Sequence, residues 1–122
     1  MVEVRVEDVR VGQRGQAHAV ILKDLQRERF LSIFIGPAEA DSIRIQLRGL
    51  QVPRPLTHDL IVGVIRSLGA TMRYVVVNDL REDTFYARIV LRTRDNRELS
   101  IDSRPSDAIA VAVRMDCPIF VA

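Results

Sequence analysis

The first residues of the chain alternate between apolar and charged side chains, with valines at positions 2, 4 and 6. This period of two is typical of a strand that buries one face. Two further apolar segments, residues 17–22 and 30–35, are joined by a polar stretch, which is typical of a hairpin. The chain is therefore predicted to begin with three strands.

A helical pattern follows. Pro37 suits the first position of a helix, and Gly49 suits its end. After Pro37, apolar residues recur at steps of three and four: Ala40, Ile43, Leu47 and Leu50. A second helix is predicted from Thr57, as its N-cap, to Gly69. The apolar residues expected on one face of this second helix are Ile61, Val64, Ile65 and Leu68.

The second half of the chain returns to strands. A β-branched run predicts a buried strand over residues 70–78, and a polar turn at Glu82 and Asp83 leads to a strand over residues 85–91. After a turn at 95–96, Leu99 and Ile101 are expected to face inward, and Asp102 ends the strand on its polar side. Residues 104–107 start a third helix, and residues 119–121 form a last strand. The order βββααβββαβ predicts a single α+β domain, residues 1–122, with a mixed or mainly antiparallel sheet and three helices.

The charge balance is close to neutral. The formal net charge is +2, and every basic residue except Lys23 is an arginine. Arginine suits bidentate contacts with phosphate, but it also suits surface ion pairs. This composition permits RNA or DNA as a partner without requiring either.

Several classes of protein are disfavoured. The lone Cys117 cannot form a disulfide within the chain and is expected to be a buried thiol, and the two histidines do not have zinc-site spacing. A cytoplasmic location is therefore expected. The glycines match no nucleotide-binding loop, and the longest apolar run is too short to span a membrane.

All three predicted helices start with acidic or proton-transferring groups. Glu39 opens the first helix, His58 and Asp59 the second, and Ser106 and Asp107 the third. An acidic residue in the first turn complements the helix dipole. Each such residue stabilises its helix by about 0.3 to 1 kcal/mol. This structural role is the simplest explanation for each residue taken singly.

A second hypothesis requires the three helix starts to converge. Asp102 and Asp107 would then hold Mg²⁺ or Mn²⁺, which lowers the pKa of bound water and polarises a phosphodiester. His58 with Asp59 would support proton transfer, and Glu39 would lie near the metal. The groups expected to bind the substrate are Arg54, Arg104 and Ser106. An equally weighted alternative is a rigid structural corner, in which Asp102 pairs with Arg104 or accepts the Ser106 hydroxyl.

Four blocks of the sequence, taken together, resemble the bifunctional nuclease domain family of bacteria and plants. They are IGPAEA at 35–40, RPLTHDL at 54–60, TFYAR at 84–88 and DSRPSDA at 102–108. The resemblance implies an α+β domain that commonly self-associates, with RNase and DNase activity in some members. The motif positions with suitable chemistry that it carries over are Glu39, Arg54, His58, Asp59, Asp102, Arg104, Ser106 and Asp107.

Two classes of function remain open. The first is a metal-assisted nuclease acting on RNA or DNA. The second is a non-catalytic oligomeric binding or regulatory module, in which the same polar corners are structural. In both, a homo-oligomer is expected, with a dimer as the predicted state, because a small α+β domain leaves strand edges exposed.

Overall fold

A computed structural model describes residues 1–82 and 84–122, without the side chains of residues 79–81. The predicted order βββααβββαβ is confirmed, as is the α+β class. Asp83, in the predicted turn, lies outside the described residues. The elements are β1 (Val2–Arg10), β2 (His18–Asp24), β3 (Phe30–Ile35), α1 (Pro37–Leu47), α2 (Thr57–Ser67), β4 (Thr71–Arg81), β5 (Thr84–Arg92), β6 (Glu98–Ser103), α3 (Pro105–Met115) and β7 (Ile119–Val121).

The strands form one mixed sheet in the order β3-β2-β1-β7-β4-β5-β6. β4 and β7 run parallel, and the other neighbouring strands of the described chain pair antiparallel, as predicted. The short last strand lies between β1 and β4, so it joins the N-terminal hairpins to the later strands. The edges of the sheet are β3 and β6.

The helix α3 is the centre of the core. It contacts α1, α2, β4 and β5, and residues 108–112 are fully buried. A helix that is apolar on all sides is expected to be enclosed in this way. Alanines at positions 108, 110 and 112 allow neighbouring elements to approach closely, and burying Ile109 contributes roughly 1.5 to 3 kcal/mol.

The predicted helix ends are largely confirmed. Pro37 starts α1, while Gly49 and Gly69 adopt positive φ angles of 62° and 73° just after α1 and α2. Thr57 is the first helical residue of α2 rather than its N-cap, which is Leu56. The helix begins there because the Asp59 carboxylate accepts the Leu56 backbone N–H at 2.8 Å.

Two predicted buried faces are partly wrong. In α2, the predicted burial of Ile65 is confirmed, but Val64 and Leu68 are exposed, and His58 and Val62 are buried in their place. In β6, Leu99 and Ile101 are exposed, because β6 is an edge strand and packs chiefly on β5. None of the helices in the described part of the chain has the length and apolar character needed to cross a membrane.

Candidate functional site

The first turns of all three helices open onto one cleft of about 380 Å³. It is lined by Glu39 of α1, by Thr57 and His58 of α2, and by Arg104 and Asp107 at the start of α3. These starts lie together because α1 and α2 both pack against α3. Glu39, His58 and Asp107 are widely separated in the sequence and therefore meet in space, as the nuclease hypothesis requires.

Arg104 lies at the centre of this cleft, between two carboxylates. Its Nη2 donates to Glu39 Oε1 at 2.9 Å, and its Nε donates to Asp107 Oδ2 at 3.0 Å. Asp107 and then Glu39 raise the pKa of the guanidinium above its ordinary value. The side chain is nevertheless 68% exposed, and it also lines two neighbouring cavities of about 490 and 620 Å³. Arg104 is therefore a fixed cation within reach of solvent.

His58 lies behind Asp107 and is buried. Its Nε2 is 2.9 Å from Asp107 Oδ1, and its Nδ1 is 2.6 Å from Ser42 Oγ. Ser42 Oγ also accepts a bond from Arg114. Since a carboxylate oxygen only accepts, the Nε2–H of His58 donates to Asp107. Both ring nitrogens of His58 are engaged in hydrogen bonds. The imidazole therefore influences the chemistry of the cleft through Asp107.

Arg114 anchors the other end of this chain of contacts. Its side chain is 4% exposed, and its guanidinium donates to Asp59 Oδ1 at 2.7 Å, Ser42 Oγ at 2.9 Å and the Ala110 carbonyl at 2.9 Å. Arg114, followed by the Leu56 N–H, lowers the pKa of Asp59 below its ordinary value. Asp59 is therefore held as a carboxylate that joins α2 to α3.

These contacts form a continuous chain across the three helices, which we call the interhelical network. Its members in order are Glu39, Arg104, Asp107, His58, Ser42, Arg114 and Asp59. The network fixes the orientation of the helix starts relative to one another. It also connects the Arg114–Asp59 ion pair with the exposed Arg104.

Sequence reasoning missed Ser42 and Arg114. Their spacing nevertheless carries a signal. Ser42 lies three residues after Glu39, and Arg114 lies seven residues after Asp107, so each shares a helix face with a predicted site residue. A buried serine and a buried arginine on those faces require polar partners.

Three predicted residues lie outside the interhelical network. Asp102 is 74% exposed, has Arg88 Nη1 at 3.8 Å, and lines the 620 Å³ cavity together with His58 and Asp107. Ser106 is buried and lines the 490 Å³ cavity. Arg54 is exposed in the segment between α1 and α2, outside the lining of the cleft.

The alternative hypothesis of a structural corner predicted an ion pair between Asp102 and Arg104. This prediction is wrong. In the described chain, Arg104 forms its ion pairs with Glu39 and Asp107, whereas Asp102 pairs with Arg88. Arg104 is the N-cap residue of α3, in extended conformation, and its side chain reaches residues of the first turns of α3 and α1. The corner is thus tied to α1 rather than to its own strand.

The carboxylates of the interhelical network face guanidinium groups. Glu39 and Asp107 hold Arg104, and Asp59 holds Arg114. Within residues 1–82 and 84–122, no group of three or more His, Cys, Asp or Glu side chains is arranged to hold a metal ion. This donor set does not fit a dedicated Mg²⁺ or Mn²⁺ site, which needs several oxygen ligands at one point. Metal binding by Asp102 and Asp107 stays a prediction.

The fold and the cleft together define a small α+β domain that gathers carboxylates and a fixed guanidinium where its three helices begin. A family described as the bifunctional nuclease domain matches residues 20–122. The chain belongs to this family.

Relatives from bacteria and plants are similar over most of the chain. An uncharacterized protein of Mycobacterium tuberculosis is 40% identical over 121 residues, which are 99% of this chain and 71% of that protein. Bifunctional nuclease 1 of Oryza sativa subsp. japonica is 28% identical over 116 residues, 93% of this chain and 35% of the rice protein. Bifunctional nuclease 1 of Arabidopsis thaliana is 31% identical over 77 residues, 62% of this chain and 24% of that protein.

Proposed function

We propose that this domain hydrolyses phosphodiester bonds of RNA or DNA in the cleft between the three helix starts. Membership of the bifunctional nuclease domain family supports a nuclease. The observation that carries the proposal is the exposed Arg104 guanidinium, held between Glu39 and Asp107 where the helices begin.

The cleft has the means to attract a phosphate. A guanidinium offers planar N–H donors that match phosphate oxygens, and helix N-termini carry partial positive charge. The N-cap residues of α1, α2 and α3 make no side-chain capping bonds, so the first-turn N–H groups of three helices add to this potential. Arg104 would position the phosphate next to Asp107.

The proposed reaction uses Asp107 as the general base. Asp107 accepts a proton from a water molecule, whose oxygen then attacks phosphorus. The bond from phosphorus to the leaving oxygen breaks, and that oxygen takes a proton from solvent. Arg104 stabilises the charge that develops on the phosphoryl oxygens. His58 acts as a positioning residue, because it holds Asp107 from behind at 2.9 Å.

Other parts of the proposal concern the whole chain. We assign the domain to residues 1–122 although the family match begins at residue 20, because β1 pairs with both β2 and β7. A homodimer, a cytoplasmic location and Mg²⁺ or Mn²⁺ dependence stay predictions. Sedimentation analysis tests the homodimer, and localisation of a tagged chain tests the cytoplasmic location. Titration with each ion during cleavage tests the metal dependence.

The alternative is a non-catalytic binding or regulatory module. It is favoured by one observation: Glu39, Asp107 and Asp59 are all engaged in ion pairs within the chain. In that case the interhelical network is structural, and substitutions in it change stability without changing cleavage.

Cleavage of end-labelled RNA and DNA by purified variants separates these two functions. We expect Asp107→Asn and Arg104→Ala each to lower the cleavage rate by roughly 100-fold or more. The matched control is Asp95→Asn, an exposed carboxylate at the other end of the β5–β6 hairpin, which should cleave like the parent chain. Equal cleavage by all preparations, with the variants folded, would mean a contaminating nuclease and would contradict the proposal.

A further inference from the structure

A groove lies beside the proposed catalytic cleft, on the far side of Arg104. Its cavity is about 490 Å³ and lies between the end of β3, the start of β5 and the start of α3. The residues that line it include Phe34, Phe85, Arg104 and Ser106. A volume of this size falls within the range of small-molecule sites in proteins.

Among the side chains that the structure describes, Phe34 is the most exposed large apolar one. It is 77% exposed and lies on β3, an edge strand whose six residues carry no charge. Edge strands of stable monomers are usually protected by charge, proline or a covering element. An aromatic side chain this exposed on such an edge indicates a binding surface.

The other wall of the groove is also open at a strand edge. β6 pairs with β5 from Arg92 back to Ala87, so Thr84 and Phe85 extend beyond the β6 partner. Within the described residues, the groove therefore runs between two strand segments that have no paired strand on that side, and Arg104 is part of its lining. The guanidinium that faces the catalytic cleft is thus also part of this groove.

We propose that this groove binds a nucleobase of the substrate, that Phe34 provides the stacking surface, and that the substrate is consequently single-stranded. This inference rests on the proposed nuclease function, since Arg104 would bind a backbone phosphate while the neighbouring base enters the groove. Aromatic side chains bind single strands by stacking on bases, largely without regard to sequence. In a duplex the bases are already stacked and paired, so they are not available to Phe34.

The chain provides a matched control for Phe34. Phe30 lies on the same edge strand, four residues earlier, and is 56% exposed, but it is not part of the groove lining. Phe30 and Phe34 both lie on the outer face of β3, opposite the face that carries the buried Ile33. Neither side chain is therefore needed for the core. Replacing either one should leave the chain folded, which circular dichroism and urea unfolding verify.

Binding is measured by fluorescence anisotropy with labelled strands that resist cleavage: phosphorothioate oligo(dT), 2′-O-methyl phosphorothioate oligo(U) and a phosphorothioate DNA hairpin duplex. We expect tighter binding of the single strands than of the duplex. Phe34→Ala should weaken single-strand binding roughly 5- to 150-fold, Phe34→Tyr should restore it, and Phe30→Ala should leave it unchanged. Unchanged affinity in Phe34→Ala, or equal loss in Phe30→Ala, would overturn the inference.

Two further readouts make the result unambiguous. Sedimentation of the same variants tests whether Phe34 instead contacts a second copy of the chain: a change from dimer to monomer with unchanged affinity per subunit would overturn the inference. Cleavage by Phe34→Ala at saturating single-stranded substrate tests the catalytic site separately. If Asp107→Asn cleaves normally while the Phe34 effect on binding holds, the proposed catalytic site fails and the base-binding groove stands.

Discussion

Replacing Arg114 by methionine should destabilise the domain strongly. The guanidinium is almost fully enclosed and joins three elements of the chain, through Asp59, Ser42 and the Ala110 carbonyl. Methionine keeps an unbranched apolar side chain but removes every donor. The variant leaves the Asp59 carboxylate without its cation and Ser42 Oγ without a donor, inside the packing between α1, α2 and α3.

The expected cost follows from this geometry. Removing one partner of a buried ion pair costs about 3 to 5 kcal/mol, because the other charge stays desolvated. The Asp59 side chain is 30% exposed, so water can partly solvate its carboxylate in the variant. We therefore expect the free energy of unfolding to fall by about 3 kcal/mol, the lower end of this range. Urea denaturation followed by circular dichroism measures the free energy of unfolding.

The matched control is Arg88→Met. At the surface, Arg88 forms an ion pair with Asp102 at 3.8 Å and donates to Ser100 Oγ and to the Ser100 carbonyl. Exposed pairs contribute little, so this variant should lose no more than about 1 kcal/mol. A loss in Arg114→Met that does not exceed the loss in Arg88→Met would refute the inference that the interhelical network holds the helices together.

The pH dependence of stability should change in the same variant. Arg114 lowers the pKa of Asp59 in the folded chain below its ordinary value of 3.8. The contribution of ionised Asp59 is therefore complete above that value and is lost as the pH falls through the lowered folded pKa. We expect the parent chain to lose stability steeply on acidification below about pH 4, and Arg114→Met to do so less steeply.

Two further predictions concern single positions. Gly63 lies at an exposed position inside α2 with open space for a Cβ, so Gly63→Ala should stabilise the domain by about 0.5 to 1 kcal/mol. At Gly69, φ is +73° and a Cβ would meet the Arg94 side chain. Gly69→Ala should therefore destabilise the domain by about 1 kcal/mol or more. Urea denaturation of the pair measures both, and the same sign for both would contradict the reasoning. Burial, followed by Asp116, raises the pKa of Cys117 to about 11, so its reaction with a disulfide reagent near pH 8 should be about 100-fold slower in the folded chain than in urea. Equal rates would contradict this burial.

The elements of the fold were predictable because their signals are local. Alternation in residues 2–6 and the Pro37 and Gly49 positions defined β1 and α1 without reference to the rest of the chain. The buried face of α2 was not predictable in this way. Apolar residues occur on several sides of this helix, and its orientation depends on the contact of His58 with Asp107 of α3. A contact between residues 49 positions apart leaves no periodic signal in the sequence.

The candidate site was predictable in part for the same reason. The residue types at the helix starts identified Glu39, His58 and Asp107 as chemically capable, and the structure places them in one cleft. The partners were not predictable. Arg104 bonds Glu39 across 65 positions, and Arg114 bonds Ser42 across 72 positions. Which arginine meets which carboxylate depends on how α1 and α2 pack against α3.

The most direct test of the proposed site is an NMR titration of the isotope-labelled chain with a short, cleavage-resistant oligonucleotide, such as a 2′-O-methyl phosphorothioate. Backbone amide shifts should concentrate in the first turns of α1, α2 and α3 and at Arg104, and Arg104→Ala should abolish them. Shifts confined to other surfaces, or unaffected by Arg104→Ala, would contradict a phosphodiester site at the meeting point of the three helices.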